Sequence, residues 1–287
     1  MINNVSDKQI GWSETQYRRL KELGCNVSIL KQVYKANAER DSAYQIIEKR
    51  LVKAEKDKLK KLFTTGGKTQ LEMLCDRVSE KLIGEGFVKV VTPTVISAKA
   101  LEKMTITPEH PLHKQVFWLN KKQCLRPMLA PTLYSLMQDF SRQKIRPIRF
   151  FEIGSCFRKE TDGAKHSSEF TMLNLVEMGL PMEEREDRLR ELGSMVASSG
   201  GLSSYDFESE ESEVYGTTVD MVSGNPSVEI GSGAMGPHAL DVEWGIHDTW
   251  VGFGIGMERM LMLLNGDSNI SKWCKSIAYL DGIRLKV

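Results

Sequence analysis

Arg158 and Glu160 have side chains and a spacing that suit the binding of a nucleotide phosphate. They follow an apolar run, Phe151 to Phe157, and stand one alternation apart, so both leave the same face of an extended strand. A guanidinium stays charged at physiological pH and can bind a phosphate through two hydrogen bonds. An exposed ion pair of little energetic value is the alternative interpretation of the same two residues.

The residues after this pair predict an antiparallel hairpin with a long loop. The loop contains His166, and a second apolar run, Phe170 to Val176, follows it. Phe170 opens the returning strand with a ring that can stack on a flat heterocycle, and Asn174 lies on the same face of that strand. The hairpin therefore predicts a nucleotide site that needs no glycine-rich loop.

A glycine-rich strand nearly ninety residues further on strengthens this prediction. Gly252, Gly254 and Gly256 alternate, which removes the side chains from one strand face and lets a ligand approach the backbone. Glu258 and Arg259 then open a helix. The spacing is G-x-G-x-G and not the G-x-G-x-x-G of dinucleotide-binding proteins, so it points to another class of nucleotide site.

Three blocks of this chain, in order, resemble the three motifs of the class II aminoacyl-tRNA synthetases. They are Gly86–Pro93, the hairpin that carries Arg158, and the strand from Trp250 with its helix. The resemblance covers roughly residues 69 to 287. Four shorter segments resemble the pyrrolysine-specific family within this class, namely 125–131, 169–174, 214–216 and 236–237.

The resemblance implies an α+β fold, in which an antiparallel β-sheet is flanked by helices and a helical N-terminal extension precedes it. It divides the chain into a basic tRNA-contacting extension, 1–68, and a class II synthetase catalytic domain, 69–287. The implied reaction is ATP-dependent activation of pyrrolysine as an aminoacyl-adenylate, followed by transfer to the amber-suppressor tRNA, tRNA(Pyl). ATP and Mg2+ are the implied cofactors, and a homodimer is the implied assembly.

The resemblance also implies catalytic and ATP-binding roles. Arg158 would hold the α-phosphate and the amino-acid carboxylate, and Arg259 would hold the far phosphate of a bent triphosphate. Phe170 and Arg259 would sandwich the adenine, while Glu160 and His166 would contact its edge.

Glu229 and Ser232 match the magnesium ligands of the family. A carboxylate and a hydroxyl are hard oxygen ligands of the kind that Mg2+ prefers. Because residues three apart lie on opposite faces of a regular strand, this pair requires a bulge or a bridging water.

The family match further implies an apolar amino-acid pocket with Asn174 as its one polar gate and Tyr215 on a closing loop. The implied lining is Met128, Ala130, Leu133, Tyr134, Met137, Asn174, Val176, Tyr215, Ala234, Trp250, Gly252 and Gly254. Four residues depart from the family pattern and bear on the dimensions of the pocket: Thr132, Val176, Gly231 and Gly233.

Cysteine usage and hydropathy are typical of a soluble cytoplasmic protein without a membrane partner. The 5 cysteines include no C-x-x-C pair, which argues against a zinc ribbon or a disulfide framework and fits a reduced compartment. No apolar run is long enough to span a bilayer. His110 and His113 flank a proline without a further close ligand, so we expect a structural loop there.

Charge is distributed unevenly along the chain. Residues 1–68 carry 15 Lys/Arg against 8 Asp/Glu, and the remainder carries 24 against 30. The segment Lys49–Lys61 is especially basic, which fits either a tRNA-binding surface or the solvated face of an amphipathic helix.

Local patterns predict several elements. Capping boxes at Ser13–Gln16 and Thr69–Glu72 predict helix starts. The second of these helices, with a strand from Phe87 to Val91, forms the dimer interface in the synthetase family, and so we expect a homodimer.

Three alternative functions remain open from the sequence. They are a class II synthetase for a standard large amino acid such as phenylalanine, a non-catalytic tRNA-binding paralogue, and an adenylating ligase with no RNA partner. The sequence also leaves open whether a separate N-terminal tRNA-binding protein is needed.

Overall fold

The structure is a computed structural model that describes residues 9–143, 145–159, 167–212 and 215–287. The chain divides into two units, one formed by Met1–Gly67 with Ile277–Val287 and the other by Lys68–Ser276. Within the described residues, no helix combines the length and the apolar character needed to cross a bilayer.

The described residues of the first unit form three helices and a short antiparallel pair of strands. The helices are α1 (Glu14–Glu22), α2 (Val27–Leu30) and α3 (Asn37–Thr65), and the strands are Tyr279–Leu280 and Ile283–Arg284. The capping box at the start of α1 is confirmed, because Ser13 and Gln16 each bind the other's backbone N–H. Glu55 is the one buried residue that the structure describes in α3, and its carboxylate accepts from the backbone N–H of Arg284.

The second unit contains seven helices and ten strands among its described residues. The helices are α4 (Gln70–Gly84), α5 (Ala98–Glu102), α6 (Pro111–Gln115), α7 (Ala130–Phe140), α8 (Arg185–Gly200), α9 (Ala239–Trp244) and α10 (Met257–Leu264). The strands are β1 (Val88–Lys89), β2 (Val95–Ser97), β3 (Trp118–Asn120), β4 (Gln123–Leu125), β5 (Ile148–Phe157), β6 (Glu169–Met178), β7 (Asp206–Ser212), β8 (Gly216–Ser223), β9 (Val228–Gly236) and β10 (Trp250–Gly256).

The strands form a large sheet and a small one. The order in the seven-stranded sheet is β1-β5-β6-β10-β9-β8-β7, and every pair is antiparallel except β1 with β5. The small sheet has the order β2-β4-β3. This mixed architecture confirms the α+β fold that the sequence predicted.

Because side chains alternate along the strands, one face of the large sheet packs against the core and the other faces the candidate site. Leu175 of β6 and Phe253 of β10 are paired and fully buried, and they belong to the core that packs against α4, α8 and α10. Asn174 and Gly254, the next pair along the same strands, lie on the opposite face. That opposite face carries the candidate site.

The predicted strand from Phe87 to Val91 is shorter in the structure. It is limited to Val88–Lys89, although Val90 still donates its N–H to the carbonyl of Phe151 at 2.8 Å. The chain then leaves the sheet edge because Thr92 turns inward, where its backbone N–H donates to Glu152 at 3.2 Å. The capping box that starts α4 is confirmed at Thr69 and Glu72.

Glu152 belongs to a buried ion pair that joins three strands. Its carboxylate lies 2.8 Å from the guanidinium of Arg126, and the two side chains are only 2% and 4% exposed. Arg126 also donates to the carbonyls of Ser155 and Thr92. Gly154 leaves room for the guanidinium, since a Cβ there would lie 3.3 Å from its central carbon. The pair thus fixes β5 against the ends of β4 and β1.

We predict that Arg126→Met lowers the free energy of unfolding by about 3–5 kcal/mol, because it leaves the buried carboxylate of Glu152 without its cation. Chemical denaturation measures the loss. The control is Lys81→Met, which breaks an ion pair with Glu85 whose side chains are 46% and 39% exposed and should cost less than about 1 kcal/mol. Equal losses in the two variants would contradict the structural role of the buried pair.

Candidate active site

A cavity of about 280 Å³ opens on the sheet face that carries Asn174 and Gly254. All twelve residues expected in the amino-acid pocket line it, together with five of those expected to bind ATP or metal: Arg158, Phe170, Glu229, Ser232 and Arg259. Glu160 and His166, the two remaining candidates, lie outside the described residues. The structure therefore brings the described candidates together around one space, while their individual roles stay predictions.

Helix α7 forms one wall of the cavity. Leu133, Tyr134 and Met137 recur at helical spacing on one face and are all buried. Thr132 points elsewhere, since its hydroxyl donates to the carbonyl of Leu129 at 2.8 Å and bonds to the hydroxyl of Thr92 at the same distance. Thr132 is therefore part of the network around Glu152 and does not set the dimensions of the pocket.

The floor of the cavity is the glycine face of β10. Gly252 pairs with Val176 on one side and with Ala234 on the other, and Gly254 pairs with Asn174 and Ser232. A Cβ at Gly254 would lie 2.7 Å from the end of the Met172 side chain. A larger residue would thus fill the space beside the Asn174 amide.

Gly231 and Gly233 do not enlarge the pocket with their missing side chains. A Cβ at Gly233 would lie 2.6 Å from the ring of Phe253 and 2.8 Å from Leu189 of α8. A Cβ at Gly231 would lie 2.7 Å from Ile255. These glycines let β9 pack closely against the core, whereas the sequence had linked them to the dimensions of the pocket.

The polar end of the cavity carries two arginines, each held by backbone. Arg158 donates from Nε to the carbonyl of Pro127 at 2.9 Å, and its guanidinium lies 5.3 Å from the centroid of the Phe170 ring. Arg259 donates to the carbonyl of Glu229 at 3.0 Å and lies 3.7 Å from its carboxylate. The cations and the aromatic ring thus meet at one end of the cavity.

A β-bulge places Glu229 and Ser232 on the same cavity. Met221 of β8 pairs with Gly231, and Val222 pairs with Glu229, so β9 contains one extra residue, Ile230, between them. A bulge is one of the two arrangements that the odd spacing left open, the other being a bridging water. A carboxylate and a hydroxyl fit part of a magnesium site, and within the described residues no group of three or more His, Cys, Asp or Glu is placed to hold a metal.

Asp241 and His238, which the sequence analysis did not identify, hydrogen-bond to the aromatic side chains of the cavity wall. Trp250 donates from Nε1 to Asp241 at 2.9 Å, and the hydroxyl of Tyr134 is 3.2 Å from Nε2 of His238. Nδ1 of His238 accepts from the N–H of Leu240, so His238 caps α9. Burial lowers the pKa of His238 and raises that of Tyr134. Both aromatic walls therefore turn their polar atoms away from the cavity.

Glu258 is a third residue without a role in the sequence-based prediction. It lines the cavity, its side chain is fully buried, and both carboxylate oxygens accept from the backbone N–H of Thr171, at 2.7 and 2.9 Å. Burial raises the pKa of Glu258 to about 7, against the opposing effect of these hydrogen bonds.

The two histidines flanking Pro111 have a structural setting. His110 caps the short helix α6 by accepting from the N–H of Leu112, and the ring of His113 packs 4.9 Å from that of Trp118. The segment is a helix start and not the loop that the sequence predicted, because Pro111 suits the first position of a helix.

Comparison with known proteins relates this geometry to one enzyme class. The family model for the tRNA synthetases class II core domain (F) matches residues 54–281. Among curated proteins, the phenylalanine–tRNA ligase alpha subunit of Geobacillus kaustophilus is 24% identical over 272 residues, which cover 82% of this chain and 78% of that subunit.

Solved structures give a stronger similarity. A crystal structure of pyrrolysyl-tRNA synthetase from Desulfitobacterium hafniense is 46% identical, with a TM-score of 0.88, and the match covers 96% of this chain and 99% of that one. Giardia lamblia prolyl-tRNA synthetase shares the fold alone, at 14% identity and a TM-score of 0.57 over 66% of this chain and 43% of that one. The chain belongs to the class II aminoacyl-tRNA synthetases, and over almost its whole length it is similar to pyrrolysyl-tRNA synthetase.

Proposed function

We propose that this protein activates pyrrolysine with ATP and transfers it to tRNA(Pyl). The observation that carries the proposal is that one cavity is lined both by Arg158 and Arg259 and by apolar walls that include the Asn174 amide. The similarity to the Desulfitobacterium hafniense enzyme over 96% of this chain supports the same substrate.

Activation joins the amino-acid carboxylate to the α-phosphate of ATP and expels pyrophosphate, so the protein must chiefly position the reactants and offset negative charge. Arg158 would bind the α-phosphate, and Arg259 would bind the far phosphate. Phe170 and Arg259 would enclose the adenine. Glu229 and Ser232 would hold Mg2+ together with phosphate oxygens, and the bound ion would neutralise charge on those oxygens.

The chamber suits a long, uncharged side chain. Pyrrolysine offers an amide carbonyl that Asn174 can bind, and a ring that would pack on Tyr134 and Trp250. Lysine would instead bring an ammonium among apolar walls. Asp241 lies behind Trp250 and is absent from the cavity lining, so its carboxylate would not compensate that charge.

Phenylalanine is the second candidate substrate, because several curated relatives are phenylalanine–tRNA ligase alpha subunits at 24% identity or close to it. Its side chain carries no group that could bind Asn174. The Asn174 amide is half-buried, and a bound side chain that covers it without pairing it costs free energy, so this pocket disfavours phenylalanine. A non-catalytic role is disfavoured too, since both phosphate-binding arginines line the cavity.

We predict that pyrophosphate exchange is fastest with pyrrolysine and with lysine derivatives that carry an apolar group on an Nε-carbonyl. Lysine and phenylalanine should fall at least about a hundredfold lower in kcat/KM, because each leaves buried polar groups unpaired. Asn174→Ala should reduce the difference in kcat/KM between pyrrolysine and the other two amino acids. The control is Asn120→Ala, at an exposed position, which should leave that difference unchanged. Phenylalanine as the better substrate would refute the proposed specificity.

We also predict that Arg158→Ala and Arg259→Ala each lower the rate of pyrophosphate exchange by roughly a hundredfold or more. Each change removes a charge-assisted contact to the reacting phosphates. Circular dichroism and thermal unfolding should show that both variants remain folded. Near-normal exchange in either folded variant would rule out its assignment to the phosphates.

The first unit is proposed to contact tRNA. Lys53, Lys56, Lys58, Lys60 and Lys61 are all exposed on α3. Exposed cations attract a phosphate backbone, and their number governs the salt dependence of binding.

We predict that reversing Lys58, Lys60 and Lys61 to Glu weakens tRNA charging about tenfold or more and reduces its salt dependence, while exchange of pyrophosphate is unchanged. The matched control reverses three exposed lysines of the second unit: Lys99, Lys121 and Lys122. If both triple variants lose charging equally, the effect is one of overall charge and not of this helix.

A homodimer is proposed from the apolar residues exposed at the edge of the large sheet. Ile83 of α4, Val88 of β1 and Val91 are 54%, 62% and 89% exposed. Val88 and Val91 belong to the segment that resembles motif 1, through which synthetases of this class pair, and Ile83 lies on the helix just before it. Burial of these side chains against a second copy would remove apolar surface from water.

A further inference from the structure

Strand β6 extends beyond the end of its neighbour β10. The two strands pair from Met178 opposite Trp250 to Met172 opposite Gly256, and the chain then turns into α10 at Met257. Thr171 is therefore the first residue of β6 that has no β10 backbone beside it. A buried backbone N–H left without an acceptor costs free energy comparable to a lost hydrogen bond.

Glu258 supplies the acceptor that β10 no longer provides. Its two carboxylate oxygens lie 2.7 and 2.9 Å from the nitrogen of Thr171, and its side chain is fully buried. The contact joins residues 87 positions apart in the chain. The side chain thus continues the sheet ladder across the turn from β10 into α10.

The neighbours of these two residues are the groups expected on either side of adenine. Phe170 precedes Thr171 on β6, and its ring stacks with the Arg158 guanidinium at 5.3 Å. Arg259 follows Glu258 on α10 and is held by the carbonyl of Glu229. One hydrogen-bonded contact therefore links the strand that carries the ring to the helix that carries the opposing guanidinium.

We propose that Glu258 is a positioning residue of the ATP site, which fixes the separation between Phe170 and Arg259 so that a purine ring fits between them. The proposal rests on the proposed function, since that function assigns adenine to these two side chains. Glu258 would act through the Thr171 backbone and would not itself bind the phosphates.

The test is the dissociation constant for ATP, measured by calorimetry on the full chain without amino acid. Glu258→Ala leaves the Thr171 N–H without its acceptor and should raise the dissociation constant for ATP about tenfold or more, since small misplacements of binding groups have large effects. Glu258→Gln keeps a carbonyl oxygen as acceptor and should stay within about threefold of the wild type. The KM for the amino acid should change less than about twofold in both variants.

Two controls separate positioning from general destabilisation. Met262→Ala empties a buried position of the same helix away from the cavity, and should lower the Tm without changing ATP affinity. Hydrogen exchange at the Thr171 amide should be slow in the wild type and in Glu258→Gln, and fast in Glu258→Ala. If Glu258→Ala does not fold, Glu258→Asp replaces it. The aspartate side chain is one methylene shorter, so its carboxylate is drawn back from the Thr171 N–H. We expect this variant to bind ATP about fivefold more weakly than the wild type.

Three results would contradict the positioning role of Glu258. Unchanged ATP affinity in Glu258→Ala, or in Glu258→Asp where that variant replaces it, overturns the positioning role and leaves the proposed function intact. An equal loss in Met262→Ala assigns the effect to helix stability and also overturns it. A wild-type protein that does not bind ATP overturns the proposed function, and the positioning role with it.

Discussion

The antiparallel register of β6, β10 and β9 is the constraint on which the candidate site depends. Asn174, Gly254 and Ser232 form one row across the three strands, and Leu175, Phe253 and Gly233 form the next. Side chains alternate between the faces, so a slip of one residue would bury the Asn174 amide in the core and place Phe253 in the cavity. The same register therefore specifies the core and the cavity together.

Two buried carboxylates tie strands of this sheet to neighbouring segments of the chain. Glu152 binds Arg126 at 2.8 Å and accepts from Thr92, so β5 is fixed against the segment that resembles motif 1. Glu258 binds the Thr171 backbone where β10 ends. Neither carboxylate is exposed, and replacing a buried ion pair with apolar side chains is often neutral for stability. Their value in this fold is the alignment that they impose on the strands beside the cavity.

The features that could be predicted from the sequence have a local signal. The hairpin, the alternating glycines, the two capping boxes and an irregularity between Glu229 and Ser232 all follow from spacings of a few residues. The partners of Arg126, Asp241 and Glu258 could not be predicted. Arg126 and Glu258 are buried through pairing across the fold, and Glu258 contacts Thr171 over 87 positions. Asp241 pairs with Trp250 only 9 positions along the chain, but that contact depends on how α9 packs beside β10. Nothing near these residues in the chain distinguishes them from exposed charges.

Under the proposed function, the residues assigned to ATP and those assigned to the amino acid come from different parts of the cavity lining. Arg158 follows β5, Arg259 follows β10 and Glu229 is near the start of β9, all at one end of the sheet, while the remaining walls come mainly from α7, Asn174 and Trp250. Under that proposal, the chamber walls could differ between substrates while the arginine end is kept, which agrees with the 24% sequence identity to a phenylalanine–tRNA ligase alpha subunit. The hydrogen bond from Trp250 to Asp241 completes the separation, because it turns a polar edge outward and keeps the inner wall apolar. Under the proposed function, specificity is thus a property of α7, β6 and β10 side chains at one end of the cavity, apart from the residues proposed to bind the nucleotide.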